Sequence, residues 1–189
     1  MTPQALLLRI NHQKSEAIKY FANNPYITIH NHTGNPGDKL KNDPFTVWVD
    51  LNFPVWVIRN GKPVKIDGIK DISIHYPVNY PVERPSVTCY SELICSIHAW
   101  KNHRLCLHAR YLPVEHNLIK EICNLAALAA NCPETICYSS PTPDMRSYIG
   151  WTKESLEKGI IPTVPYKQLT AGANAIGTAR RRVVIPKAI

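Results

Sequence analysis

One cysteine lies within a short run that is rich in histidine. Cys106 follows His98 by eight residues and precedes His108 by two, and His103 lies between them. A thiol is a nucleophile only as the thiolate, and neighbouring imidazole or cationic groups lower its pKa toward neutrality. The run therefore predicts covalent chemistry at Cys106, with imidazoles that activate the thiol or act as a general base.

The two histidines nearest to Cys106 in the sequence receive different predictions. His108 would point in the same direction as Cys106 along an extended segment, so we expect it to be the imidazole nearest to the thiol. His103 could activate the thiol or act as a base, and it could equally be a residue of a solvent-exposed loop.

The same run allows two other interpretations. Cys95, His98, His103 and Cys106 have spacings that could hold a structural zinc ion. These spacings match no standard ligand pattern closely, and a domain of this size needs no metal ion to fold. The third interpretation is a buried structural thiol at Cys106, which is the usual role of an isolated cysteine.

The composition is that of an ordinary globular domain. The chain has 189 residues, of which 44% are hydrophobic and 19% charged, enough for a single domain with its own core. Its longest apolar stretch, residues 125–130, is too short to span a bilayer, and its first residues do not resemble a signal peptide. We therefore expect a cytoplasmic protein without membrane association, whose six cysteines are free thiols.

Positive charge is concentrated at the end of the chain. The net charge is +8, and residues 160–189 include five basic residues and no acidic residue. No aromatic residues alternate with the Arg180–Arg182 cluster, so we do not expect nucleic-acid binding. A solvated terminus is the favoured interpretation, and contact with an acidic protein surface stays open.

Hydrophobic periodicity predicts the elements that position the cysteine. A first helix is expected from Thr2 to about Ala22, with Thr2 as its N-cap, and a second from Asn117 to Asn131. A short final helix is expected at 152–158. Alternating and β-branched residues predict strands at 26–30, 45–51, 71–76 and 86–90, and a hairpin at 55–66 on an Asn60-Gly61 turn. This order indicates an α+β fold with an antiparallel meander sheet.

A proline-rich string joins the last two predicted strands. Its regularly placed members are Tyr76, Pro77, Tyr80, Pro81, Pro85 and Val87. Repeated X-Pro units keep such a connection extended and stiff. The string resembles the pattern of the ubiquitin-conjugating enzyme superfamily, and so do the spacing from His98 to Cys106-Leu107 and the two flanking helices. The resemblance covers roughly residues 3–140.

The chain also departs from the family pattern. Arg84 replaces the first of the usual paired prolines, and Ala99-Trp100 occupies the place of Pro-Asn after the family's histidine. The family's tryptophan after the cysteine is absent, and the hairpin at 55–66 is longer than usual. These departures resemble the divergent bacterial members found in antiphage operons, including those that modify cGAS-like nucleotidyltransferases. The resemblance therefore predicts a bacterial protein of antiphage defence.

The resemblance implies an activity and a role for each residue. Cys106 would accept the C-terminus of a ubiquitin-like modifier, or of a nucleotidyltransferase, as a thioester and transfer it to an amine of a target protein. His98 would hold the active-site loop. Asn102, near the vacant asparagine position, is a candidate donor to the oxyanion, although an asparagine in this context is usually a turn residue.

The expected partners and boundaries follow from the same resemblance. The enzyme itself would need no cofactor, because an activating (adenylating) enzyme would use the ATP. That partner would dock on the first helix, whose exposed cations are Arg9, Lys14 and Lys19. The catalytic domain is expected at 1–140, followed by a C-terminal extension at 141–189 with a basic tail.

Two further classes of function stay open. One is a binding module of the same fold without catalysis, which the missing asparagine favours and the retained Cys106 opposes. The other is a cysteine hydrolase, which needs a base and a cleft brought together by the fold.

Overall fold

Two helices pack against one face of an antiparallel sheet in the computed structural model. The structure describes residues 2–30, 43–107, 116–133, 137–161 and 164–172. The elements in chain order are α1 (Pro3–Phe21), β1 (Ile27–His30), β2 (Thr46–Leu51), β3 (Val55–Arg59), β4 (Lys62–Ile66), β5 (Ile69–His75), β6 (Ser86–Cys89), β7 (Arg104–Leu105), α2 (Leu118–Ala129), a 3₁₀ helix (Pro143–Tyr148), α3 (Ile149–Glu157) and α4 (Tyr166–Leu169). This order confirms the predicted α+β fold class, in which an N-terminal helix, an antiparallel sheet and a central helix follow one another.

Both long helices begin where their capping residues indicate. The Thr2 hydroxyl accepts a hydrogen bond from the Ala5 N–H at 3.3 Å, and the Asn117 side chain accepts one from the Lys120 N–H at 2.8 Å. These bonds satisfy backbone donors that a helix leaves free in its first turn. The predicted N-cap of α1 and the predicted helix at α2 are therefore confirmed.

The main sheet has five strands in the order β1-β2-β5-β6-β7, and every neighbouring pair is antiparallel. The predicted hairpin, β3–β4, forms a separate two-stranded sheet. Its turn residues Asn60 and Gly61 have φ values of 51° and 72°, as a two-residue hairpin turn requires. The outer edge of β3 hydrogen-bonds with the segment around residue 94, because Ile58 N–H donates to Leu93 C=O at 2.7 Å.

Alternation along the strands divides the sheet into two faces. A row of directly opposed residues lies on the face that carries the helices, and its members are all buried. This core row consists of Val47, Ile74, Val87, Leu105 and Ala99. The residues next to them in sequence therefore point to the opposite face, which we call the outer face.

Residues beyond 140 contribute to the same core. Met145 and Leu169 are buried within it, and the Asn24 side chain donates to Leu169 C=O at 2.8 Å. The helix predicted at 152–158 is present as α3, but it is not the final helix, because α4 follows it. The division of the chain at residue 140 stays a prediction.

Two statements concern the described residues as a group. Among them, no helix is both long enough and apolar enough to cross a membrane. The six cysteines, all of which are described, are free thiols.

Candidate active site

The position of Cys106 follows from the register of β6 and β7. Leu105 belongs to the core row, so the next residue, Cys106, points to the outer face. Continuing the β6–β7 register by one residue places Ser86 opposite Cys106. On the other side of Cys106, its N–H donates to His98 C=O at 2.8 Å. Cys106 is half-buried between these two neighbours.

The outer face thus carries a second row of opposed residues. Thr46 pairs with His75, and His75 pairs with Ser86. Together with Cys106 and His98, which the backbone pairs next to them, these residues form what we call the outer row. Three of its five members carry a thiol or an imidazole, so the sheet aligns groups that are scattered between residues 75 and 106 of the sequence.

His98 is held by hydrogen bonds on two sides. Its carbonyl accepts from Cys106 N–H, and its Nε2 accepts from Cys137 N–H at 3.2 Å. The neutral ring therefore carries its proton on Nδ1, and the lone pair on Nε2 is occupied. Burial lowers the pKa of His98 below its ordinary value, which keeps it an acceptor. This arrangement suits a residue that positions the segment after α2.

That segment runs beside residues 97–101 and is fastened along its length. Thr142 N–H donates to Ile97 C=O at 2.8 Å, and the Thr142 hydroxyl donates to Ala99 C=O. The Asp144 carboxylate accepts from Lys101 N–H at 2.9 Å. The chain around His98 is therefore paired on both sides, with Cys106 on one side and residues 137–144 on the other.

Asn102 and His103 occupy the turn between His98 and Cys106. Asn102 Oδ1 accepts from Arg104 N–H at 3.2 Å, which is the local bond of a turn residue. His103 has a φ of 67°, and its Nδ1 lies 2.8 Å from Cys89 C=O, to which it donates. The bonds that the structure shows for these two side chains are made within this turn and to β6, and Asn102 as an oxyanion donor stays a prediction.

Two predicted features lie outside the described residues. One is His108, the imidazole expected nearest to the thiol, and the other is the basic cluster Arg180–Arg182.

The four residues of the zinc interpretation have other surroundings. The rings of His98 and His103 hydrogen-bond with Cys137 N–H and Cys89 C=O. Burial raises the pKa of Cys95 to about 12, which disfavours the thiolate that zinc requires. Within the described ranges, no group of three or more His, Cys, Asp or Glu residues could hold a metal ion.

The other cysteines fall into two groups. Burial raises the pKa of Cys123 to about 11 and also raises the pKa of Cys89, as expected for structural thiols. Cys137 differs, because hydrogen bonds from the Ser139 hydroxyl and from the Ser139 and Ser140 backbone lower its pKa. Its sulfur lies 3.1 Å from Ser139 Oγ. Sequence reasoning missed Cys137, which is 39 residues from the histidine that it contacts.

A second group that sequence reasoning missed lies at the other end of the outer row. His75 Nδ1 lies 2.9 Å from Asp43 Oδ2 and 3.0 Å from Thr46 Oγ1, and Thr46 donates to Asp43 at 2.6 Å. Burial alone would raise the pKa of Asp43, but hydrogen bonds from Thr46 and Phe45 and the interaction with His75 lower it overall. The outward position of His75 on a predicted strand was readable in the sequence, whereas its carboxylate partner 32 residues away was not.

The three predicted docking cations of α1 differ in exposure. Lys19 is exposed, whereas Arg9 and Lys14 are half-buried. The Arg9 guanidinium lies over the ring of Tyr80, 4.9 Å from its centroid, and burial lowers the pKa of Lys14. Lys19 is therefore the cation of this set that solvent reaches most freely.

Comparisons with known proteins gave one kind of match. No family model matches the chain, and no curated protein matches it. Among solved structures, the chain is similar to human ubiquitin-conjugating enzyme E2 G1, with 21% sequence identity and a TM-score of 0.44. The match covers 69% of this chain and 98% of that one.

Proposed function

We propose that the protein is a ubiquitin-conjugating-type acyl transferase that carries a protein C-terminus as a thioester on Cys106 and passes it to a target amine. The observation that carries this proposal is the register that turns Cys106 away from the core, between Ser86 and His98. A half-buried thiol at this position can receive an acyl group, whereas the side chains of the core row cannot.

The sequence motifs support the same chemistry. The proline string leads directly into β6, the strand that aligns β7 and Cys106, and His98 lies at the family's histidine position. A thioester keeps the acyl group activated, and a thiolate is a good leaving group when an amine attacks. The modifier is a ubiquitin-like protein or a nucleotidyltransferase C-terminus, delivered by an activating enzyme that uses ATP, and the setting is cytoplasmic antiphage defence in bacteria.

The test is thioester formation with the partners that the proposal names. The protein is incubated with ATP, the activating enzyme encoded beside it and the candidate modifier, and is then analysed on non-reducing gels. We expect an adduct in the wild type that disappears on reduction and is absent from Cys106→Ala. Cys137→Ser is the matched control, because it removes the thiol of the residue whose backbone N–H bonds to His98, and it should still form the adduct.

Two results would contradict the proposal. An adduct that persists in Cys106→Ala would show that another residue carries the acyl group. If a demonstrably active partner gives no adduct, the fold serves as a binding module without catalysis, as the replacement of the family's asparagine by Trp100 would then explain.

A further inference from the structure

The outer row contains a second imidazole, two strand positions away from Cys106. The register pairs His75 with Ser86, and its continuation by one residue beyond β7 places Cys106 on the other side of Ser86. Neighbouring strands are about 4.8 Å apart, so the two backbones are separated by roughly 10 Å. The small Ser86 side chain lies beneath this gap, and the side chains of His75 and Cys106 border it on the same face of the sheet.

The hydrogen bonds of His75 define where its proton lies. Asp43 accepts from Nδ1 at 2.9 Å, so the neutral ring carries its hydrogen on Nδ1 and its Nε2 is an acceptor that bonds to no other described residue. The Asp43 carboxylate, held by Thr46 and by Phe45 N–H, fixes this orientation. His75 keeps 48% of its side-chain surface exposed, so the ring is accessible from the outer face.

His98 has the opposite arrangement, although it is the nearer imidazole. Its Nε2 is already occupied by Cys137 N–H, and protonation there would break that bond. His98 therefore uses its acceptor nitrogen to position the chain around Cys137, whereas His75 keeps Nε2 as an acceptor on the outer face. A carboxylate that orients a histidine in this way is the usual support of a general base.

We propose that His75 is the general base of the transfer step, and that Asp43 is its positioning residue. The inference depends on the thioester function proposed above. The amine nitrogen attacks the thioester carbonyl carbon and forms the C–N bond, and the C–S bond to Cys106 breaks. The proton that the amine loses passes to His75 Nε2, and the departing Cys106 thiolate is neutralised from the imidazolium or from water.

The test separates the transfer step from loading and needs no partner enzyme. Cys106 is loaded in a Cys137→Ser background by exchange with a glycylglycine thioester of mercaptoethanesulfonate, and the site is verified by peptide mass mapping. The acyl-enzyme is then discharged with free lysine or with hydroxylamine, and its decay is followed by intact mass spectrometry. Both amines lose one proton as the C–N bond forms, but lysine is protonated at neutral pH and must lose a second one. Hydroxylamine is largely unprotonated and is a strong nucleophile, so its reaction depends much less on a general base.

We expect His75→Gln to slow discharge to lysine by at least about 10-fold, a conservative bound because general-base contributions are typically about 100-fold or more. Its discharge to hydroxylamine should change by less than about 2-fold. Asp43→Asn should reduce the ratio of the lysine rate to the hydroxylamine rate by a smaller factor than His75→Gln does. His30→Gln is the matched control: its Nε2 lies 2.9 Å from Asp50 on the same sheet, but β1 is the far edge strand. We expect its ratio of rates to equal that of the wild type.

The possible failures are distinguishable. If folded His75→Gln loses the same fraction of its discharge rate with both nucleophiles, His75 has a structural role and the inference is overturned. The inference is also overturned if His75→Gln discharges to lysine as fast as the wild type does. In both cases normal loading would leave the proposed function intact. A wild-type protein whose Cys106 takes up no acyl group would overturn the proposed function and the inference together.

Discussion

A buried chain of side chains anchors the proline string, and removing one hydroxyl should weaken it measurably. Tyr80 OH lies 2.9 Å from His116 Nδ1, and His116 Nε2 lies 3.2 Å from Glu121 on α2. Gln13 on α1 donates to the same Tyr80 oxygen at 3.4 Å. Tyr80 therefore connects the string with both helices, and Tyr80→Phe removes these connections without changing the shape of the ring.

The expected loss follows from the geometry of these bonds. The contact with His116 is short and buried, because Tyr80 is 1% exposed and His116 is 8% exposed. Removing a buried hydrogen-bond partner costs about 1–3 kcal/mol, and the longer bond from Gln13 adds little. We therefore expect Tyr80→Phe to lower the free energy of unfolding by about 2 kcal/mol, within the range of buried polar partners. With a denaturant slope near 2 kcal/mol/M, the urea midpoint should fall by about 1 M.

The matched control is Tyr76→Phe in the same string. Tyr76 is also 1% exposed, and its hydroxyl donates to Gln13 Oε1 at 3.2 Å, a half-buried partner on the rim of the network. A hydrogen bond of this kind contributes about 0.5–1.5 kcal/mol, so Tyr76→Phe should cost less. Urea unfolding with unchanged slopes measures both. A loss below about 0.5 kcal/mol for Tyr80→Phe, or a larger loss for Tyr76→Phe, would refute the reasoning.

Two further predictions come from pKa shifts near Cys106. The bonds from Ser139 lower the pKa of Cys137, whereas burial raises the pKa of Cys95 to about 12 and that of Cys123 to about 11. Iodoacetamide at neutral pH should therefore alkylate Cys137 much faster than Cys95 or Cys123, and Ser139→Ala should slow the alkylation of Cys137. Peptide mass spectrometry measures these rates. Equal rates would contradict the assignment. Burial also lowers the pKa of His98, so the unfolded chain binds this proton more readily and stability is lost as the pH falls below the ordinary value of 6.5. Gln in place of His98 keeps an acceptor but does not titrate. When the pH is lowered from about 8 to about 5, the melting temperature of His98→Gln should therefore fall less than that of the wild type. An equal fall in both proteins would refute the assignment.

The sequence predicted the elements whose signals are local. Thr2 and Asn117 each cap the helix that follows them, and the Asn60-Gly61 pair forms the predicted hairpin turn. Each of these signals depends on residues within four positions of one another. Such signals survive folding, because tertiary contacts reinforce them and do not compete with them.

The parts that could not be predicted depend on distant contacts. β7 has only two residues, too few for a period to be recognised, and yet its register determines the direction of Cys106. His75 and Asp43 are 32 residues apart, and His98 and Cys137 are 39 residues apart. Pairing of this kind is set by sheet order and loop closure, which a single sequence does not encode in any local pattern.

The alternation of side chains along the strands separates the position of Cys106 from that of the buried Cys89. Cys89 lies on the neighbouring strand, two residues after Val87 of the core row, and is fully buried. Cys106 follows Leu105 of the same row by one residue and therefore faces outward. Because side chains alternate with a period of two, a slip of one residue between β6 and β7 would bury Cys106 and expose Leu105. Burial of the core row opposes this slip, so the hydrophobic pattern that stabilises the sheet also keeps the thiol in the outer row, as the proposed function requires.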